Sequence, residues 1–262
     1  MANLKYIVEN RIRRDLADEY ESFLKTRKKR RAKLLLCGIP LLVVLLLSCN
    51  FVLCAYGAGL CALAYVILGI HTFDEVKKSG LEGEFRALNI LRQLPDDYTI
   101  FNQVLVPDHS SSTGSREIDY LVCGPNGLFA IEVKNNNGSV HGNESDSRWT
   151  VCKVGRGGTA YDTTMRNPVR QLKAQIFPLS KHFREKGVNA WINGLVAFTN
   201  GDSKLRIGES SKIPVIHAHD LVQHITEFVP NKAVRDVDKV ISVLADLAGK
   251  DPAAEVACIT CT

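Results

Sequence analysis

Arg116-Glu117-Ile118-Asp119-Tyr120-Leu121-Val122-Cys123, Gly124-Pro125-Asn126-Gly127, Leu128-Phe129-Ala130-Ile131-Glu132-Val133-Lys134: the reading of this stretch decides the fold. Two runs rich in β-branched and aromatic residues flank four turn formers, the pattern of a β-hairpin. With those four residues as the loop, Cys123 faces Leu128 and Asp119 lies opposite Glu132. Period-two alternation puts Lys134 on the face of Glu132; a one-residue bulge would break this parity. In that register two carboxylates and an ammonium converge from adjacent strands. Such a set suits metal-assisted hydrolysis. Two carboxylates on rigid strands can hold Mg²⁺, the ion orients or acidifies a water and neutralises charge on a phosphate, and a lysine positions the water or stabilises the transition state. The plainer alternative is a cross-strand acid that simply pairs with a lysine.

Working outward, Gly83–Leu91 predicts a helix with Phe85, Leu88 and Leu91 on one face, ended near Pro95. A strand is expected around Tyr98–Val106, then a mobile, Ser-rich loop from Pro107 to Ser115. Beyond the hairpin, Asn167-Pro168 reads as an N-cap followed by Pro at the first helical position, which sets Gln171 on the first turn. Gly194–Thr199 and Ile213–His217 predict buried strands, the second leading into a helix from Asp220 to Phe228. Ala233–Leu247 predicts an amphipathic closing helix. His217, His219 and His224 lack an H-E-x-x-H pattern and fit core or capping roles.

Four short motifs resemble, in order and spacing, the nuclease-related domain (NERD) of the PD-(D/E)XK nuclease superfamily. They are Leu81-Glu82-Gly83-Glu84, Ile118-Asp119-Tyr120, Gly127 through Lys134, and Asn167-Pro168-Val169-Arg170-Gln171, with Trp149 between them. The resemblance is close over residues 76–180 and looser to about residue 225. It implies a restriction-endonuclease-like mixed sheet flanked by helices and Mg²⁺-dependent (or Mn²⁺-dependent) cleavage of nucleic acid. The functional positions it implies are Glu84, Asp119, Glu132 and Lys134, with Gln171 in support and Asp119 and Glu132 as metal ligands. Tyr120 stands where the family often has His. On the residues alone, Glu84 could equally be a first-turn acid favoured by the helix dipole.

Charge adds a separate indication. Between Asp146 and Lys186 there are nine basic and three acidic residues. Arg148, Lys153, Arg156, Arg166, Arg170 and Lys173 are candidate contacts to a polyphosphate backbone, although a solvated basic helix would look similar. Gly155, Gly157 and Gly158 suggest a flexible loop able to close over a backbone; the Gly-Lys-Ser/Thr of a P-loop is missing.

The chain has 262 residues and a net charge of +5. That length supports one or two domains and excludes a disordered tail or a small disulfide scaffold. Residues 1–33 carry 11 basic and 5 acidic side chains, and 34–73 carry none of either. Leu4, Val8, Ile12, Leu16, Tyr20 and Leu24 predict an amphipathic basic helix over 1–33. Forty uncharged residues exceed one span of a bilayer, and Ser48-Cys49-Asn50 can turn the chain. A two-helix transmembrane hairpin is expected over 34–70, with lipoprotein-type processing at Cys49 as the lesser alternative. The basic cluster and an even number of crossings keep the N-terminus and the nuclease-like domain (72–250) on the cytoplasmic side of an inner or plasma membrane. The tail 251–262 holds Cys258-x-x-Cys261, two of the four ligands a structural zinc site needs with no second pair in the sequence, so an inert tail is the favoured expectation. The overall expectation is α/β: a membrane-anchored, metal-dependent nuclease, acting first of all on DNA and compatible with a homo-oligomer. The alternatives are a non-catalytic nucleic-acid-binding protein or a membrane scaffold.

Overall fold

The computed structural model describes residues 1–7, 20–33, 75–155, 157–208, 212–230 and 236–249, with positions 18, 36, 56, 57 and 59. In chain order the elements are β1 (Asn3–Tyr6), α1 (Glu75–Leu91), β2 (Thr99–Pro107), β3 (Ser115–Gly124), β4 (Gly127–Lys134), β5 (Ser139–Gly142), β6 (Arg148–Val154) and β7 (Ala160–Arg166). There follow α2 (Pro168–Glu185), β8 (Ile192–Phe198), β9 (Lys204–Ile207), β10 (Val215–His217), α3 (Leu221–Thr226) and α4 (Val237–Ala248). Two compact units are present: Met1–Val8 with Ser79–Thr262, and Glu9–Lys78.

The hairpin forms in the expected register. Cys123 pairs with Leu128, Val122 with Phe129 and Tyr120 with Ile131. Pro125 and Asn126 make the turn, and Gly127 takes a φ of +140° that a side chain would resist. Asn126 Nδ2 ties the turn to the end of α3 through the carbonyls of Ile225 and Thr226. Around this hairpin a mixed six-stranded sheet runs β1-β2-β3-β4-β8-β10. The pairs β2–β3 and β3–β4 are antiparallel; β1–β2, β4–β8 and β8–β10 are parallel. One face packs Ala87, Leu88 and Leu91 of α1 and Leu221 and Ile225 of α3. The other packs Val169, Leu172 and Leu179 of α2 and Val240, Leu244 and Leu247 of α4. This is the mixed α/β arrangement expected.

A second sheet, β7-β6-β5-β9, leans on the α2 side through Val140, Trp149 and Val151. It had no counterpart among the sequence-based expectations. Gly155, Gly157 and Gly158, expected to belong to a flexible loop, lie at the β6–β7 hairpin tip, where Gly155 N donates to Thr159 O and Gly158 N to Gly155 O, each at 2.9 Å. The Pro107–Ser115 loop, expected to be mobile, is tied down. Asp108 accepts from Ser110 Oγ at 2.6 Å, from Arg116 Nε at 2.5 Å and from Ser110 N at 2.9 Å, bonds that hold its carboxyl down at about 2.

The amphipathic helix expected over 1–33 does not extend to its first residues. Asn3–Tyr6 is a parallel edge strand on β2. Leu4 and Tyr6 are half-buried while Asn3 and Lys5 are exposed, a period of two that suits a sheet edge. Asn3 N donates to Tyr98 O at 2.7 Å, and Tyr6 stacks on Phe101 with ring centroids 4.6 Å apart. One compact unit comprises Met1–Val8 and Ser79–Thr262. In the other unit, residues 20–33 are helical. Among the described residues no helix is long and apolar enough to cross a membrane. The hairpin expected over 34–70, apart from four isolated positions, and the tail 251–262 lie outside the described residues.

Candidate active site

The site forms where β2 and β3 lose their alternation. Phe101 and Val104 both enter the α2 side of the core, as do Ile118 and Leu121. A step of three residues on each strand means that both turn over between those positions. The ladder pairs Asn102 with Tyr120 and Val104 with Ile118 and skips Gln103 and Asp119 between them. Gln103 has a φ of +49°, an uncommon conformation for a residue with a side chain. The break frees Asp119 from the ladder, and its carboxylate takes over a backbone role: Oδ2 accepts from Val133 N at 2.7 Å. The paired residues on either side thus bring Asp119 beside Glu132 and Val133, and the hairpin register that implied this juxtaposition holds up to Tyr120–Ile131.

Glu132 is only 1% exposed and has partners for both oxygens. Lys134 Nζ donates to Oε1 at 2.5 Å, and Gln175 Nε2 to Oε2 at 2.9 Å. Lys134 also donates to Gln171 Oε1 at 3.3 Å, and its side chain keeps 22% exposure at the rim. Gln175 Nε2 bonds Glu117 O at 2.8 Å, while its Oε1 is buried without a partner. From the opposite face of the sheet, Glu84 on α1 accepts from Gln103 Nε2 at 3.3 Å. Tyr120 Oη donates to Glu84 O at 2.9 Å and fixes that turn of α1.

Electrostatics single out the acids. Burial, then the neighbouring Glu132 and Glu84, push the Asp119 carboxyl well above the usual range, against Lys134 and the Val133 bond. Burial, then Glu117, raise Glu84 from 4.5 to about 7, with Gln103 opposing. A site in which carboxylates hold one another's protons has surplus negative charge, the condition a divalent cation relieves. The donors are all oxygen, as a hard ion requires. Among the described residues no group of three or more His, Cys, Asp or Glu side chains could hold a metal. Two carboxylates completed by water or phosphate oxygen is nevertheless the usual way Mg²⁺ is bound, so the residues fit that ion.

Residues 79–199 match the model of the nuclease-related domain family, NERD. The match begins at Ser79, where the compact unit resumes, and ends one residue past β8. It encloses Glu84, Asp119, Glu132, Lys134 and Gln171, all placed around the ladder break. Comparison with curated proteins and with solved structures gives no match.

Two residues of this site gave no expectation from the sequence. Gln175 stands one helical turn beyond Gln171 and therefore on the same face of α2, a signal that was there to be used. Gln103 gave none, since its role depends on a backbone conformation set by tertiary structure. The basic candidates divide. Arg148 and Arg166 are exposed and directly paired across β6–β7, and the Arg148 guanidinium donates to Thr164 Oγ1 at 2.9 Å and Thr164 O at 3.3 Å. The neighbouring row on the same sheet face runs Thr164, Thr150, His141, Arg206. Lys153 has the opposite parity, shared with buried Trp149 and Val151. Lys173 is paired with Glu144; Arg170 is exposed on the first turn of α2, and Arg156 lies outside the described residues.

Two tests arise from this geometry. A Cβ on Gly83 would meet Asn135 Cβ at 2.6 Å and Thr199 Oγ1 at 2.9 Å. Gly83→Ala is therefore expected to lower thermal stability by about 1–3 kcal/mol through overpacking, despite the better helix propensity of Ala. It also moves Glu84 off Gln103. Separately, the raised Glu84 value means that its contribution to stability is intact below 4.5 and lost as pH rises through about 7. Glu84→Gln is expected to raise the melting temperature at pH 8 in EDTA and leave it nearly unchanged at pH 5. Equal shifts at both pH values would contradict this assignment.

Proposed function

We propose that this chain is a membrane-anchored nuclease that hydrolyses nucleic-acid phosphodiester bonds in a Mg²⁺- or Mn²⁺-dependent reaction, with DNA as the first substrate to test. The observation that carries this reading is the convergence of Asp119, Glu132, Lys134, Gln171 and Glu84 at one break in the β2–β3 ladder. Asp119 and Glu132 would hold the ion, which when bound supplies stabilisation of charge on the phosphate and a more acidic water. Lys134, anchored by Glu132 and Gln171, has a third N–H to offer a phosphate oxygen or the attacking water. Glu84, with its value near neutrality, can hold or release a proton at the working pH. The Arg148–Arg166 face of the second sheet fits the phosphate backbone.

The anchor rests on the basic cluster before forty uncharged residues. Because β1 and Ser79–Thr262 belong to one unit, a chain that leaves that unit after residue 8 is back by residue 79. Any bilayer crossing in between must come in an even number, which supports a hairpin over a single span. With the positive charges retained in the cytoplasm, the domain would face that side of an inner or plasma membrane, placed to degrade foreign DNA as it enters.

The test uses the full chain with plasmid, linear duplex and single-stranded DNA, in Mg²⁺ or in EDTA, beside Asp119→Ala. Cleavage only with the ion, lost in the variant, is the expected result, together with a Mg²⁺-induced rise in melting temperature that the variant lacks. Binding without cleavage would replace this reading with that of a non-catalytic nucleic-acid-binding protein. Cleavage that persists in EDTA would overturn the metal dependence.

A further inference from the structure

A groove of about 600 Å³ lies at the other end of the β4–β8 pair, lined by Phe129, Trp191 and Asn193. At about 3.3 Å per residue, Phe129 stands roughly 10 Å along β4 from Glu132 and about 17 Å from Lys134. The flank of α2 that lines it, with Phe177 and Arg184, is not the flank that carries Gln171 and Gln175. Trp191 is 72% exposed and Phe177 69%. Solvent-facing rings of that size on one concave wall are costly unless something covers them. Among the described residues the side chains of Arg184 and Lys212, which line the same groove, form no ion pair, although Lys212 N donates to Glu144 Oε2 at 2.9 Å; no carboxylate is among the lining residues.

We infer that this groove holds single-stranded nucleic acid, with bases stacked on Trp191 and Phe177 and phosphates on Arg184 and Lys212. Flat aromatic faces interleaved with unpaired cations are what an unpaired strand needs, since every base has a π-face and every linkage a charge. The concave shape favours this occupant over a lipid surface, which requires protruding apolar side chains. The inference rests on the nuclease reading only for its purpose: a strand held here lies about three stacked nucleotides, at about 3.4 Å each, from Glu132 and about five from Lys134.

The chain contains two tryptophans, and Trp149 is fully buried, so quenching of exposed emission reports Trp191. Full-length protein in EDTA is titrated with oligo(dT), dTMP and anionic vesicles, with anisotropy of labelled oligo(dT) as the second readout. Oligo(dT) is expected to quench the emission and to bind less tightly as salt rises. Trp191→Ala should weaken binding by about 10- to 100-fold, and Trp191→Phe should restore most of it. Arg184→Gln with Lys212→Gln should reduce the slope of log affinity against log salt by about 1.4. Unquenched emission, equal binding by Trp191→Ala, or a response only to dTMP or only to vesicles would each overturn the inference. The nuclease reading fails separately, by absence of Mg²⁺-dependent cleavage while this binding persists.

Discussion

Lys134→Ala is expected to reduce kcat for DNA cleavage by about 10²–10³, the scale of a lost charge-stabilising donor, with KM changed only a few-fold. The asymmetry follows from position. Lys134 sits at the rim beside buried Glu132 and half-buried Asp119, where it would meet charge that develops during the reaction, while ground-state affinity is spread over the exposed arginines. The same substitution also strips Glu132 of its ammonium partner and leaves a 1%-exposed carboxylate with one neutral donor. In EDTA it should therefore destabilise the fold as well, by about 1–3 kcal/mol once the partial exposure of Lys134 is allowed for. Adding Glu132→Gln, as Glu132→Gln with Lys134→Met, should recover stability and not activity. Recovery of both would show that the pair is structural only, which was the plainer reading of a Glu-x-Lys tripeptide.

How much of this was legible beforehand differs from element to element. The hairpin register could be read because four turn formers separate two runs of strongly β-forming residues, and Pro125-Asn126 leaves little latitude. The Asn167 cap and the start of α2 were equally plain. The second sheet was not: β7 is exposed at six of its seven positions and so has no apolar face to betray it. At the N-terminus, Leu4 fits a period of four and, with Tyr6, a period of two, and only the open edge of β2 decides between them. Asp119, Glu132 and Lys134 were found because hairpin geometry aligns them. Gln103 was hidden because a φ of +49° in the middle of a strand is imposed by the surroundings, and nothing in the identity of a glutamine announces it.

The site also depends on a residue whose side chain bonds none of the site's side chains. Asn167 is 2% exposed and works in two directions. Its Oδ1 caps α2, accepting from Val169 N at 2.9 Å and Arg170 N at 3.2 Å. Its Nδ2 donates to the carbonyls of Asn143, Glu144 and Asp146, the last at 2.7 Å. Trp149 Nε1 bonds the same Asn143 carbonyl at 2.9 Å, so the loop between β5 and β6, the buried tryptophan and the start of α2 share one hub. One and two turns along α2 come Gln171 and Gln175, which hold Lys134 and Glu132. Asn167→Ala removes a cap worth about 1 kcal/mol and leaves three partly buried carbonyls short of a donor, at about 1–3 kcal/mol in all. A loss of about 2–4 kcal/mol is expected, or roughly 4–16 °C in melting temperature for a domain of this size. Asn167→Asp keeps the cap acceptor but sets a carboxylate against three carbonyls, and should be no better than Ala if the amide donor matters. If it melts instead like the unsubstituted protein, the hub reduces to a helix cap, and the coupling from the second sheet to Gln171 and Gln175 is lost with it.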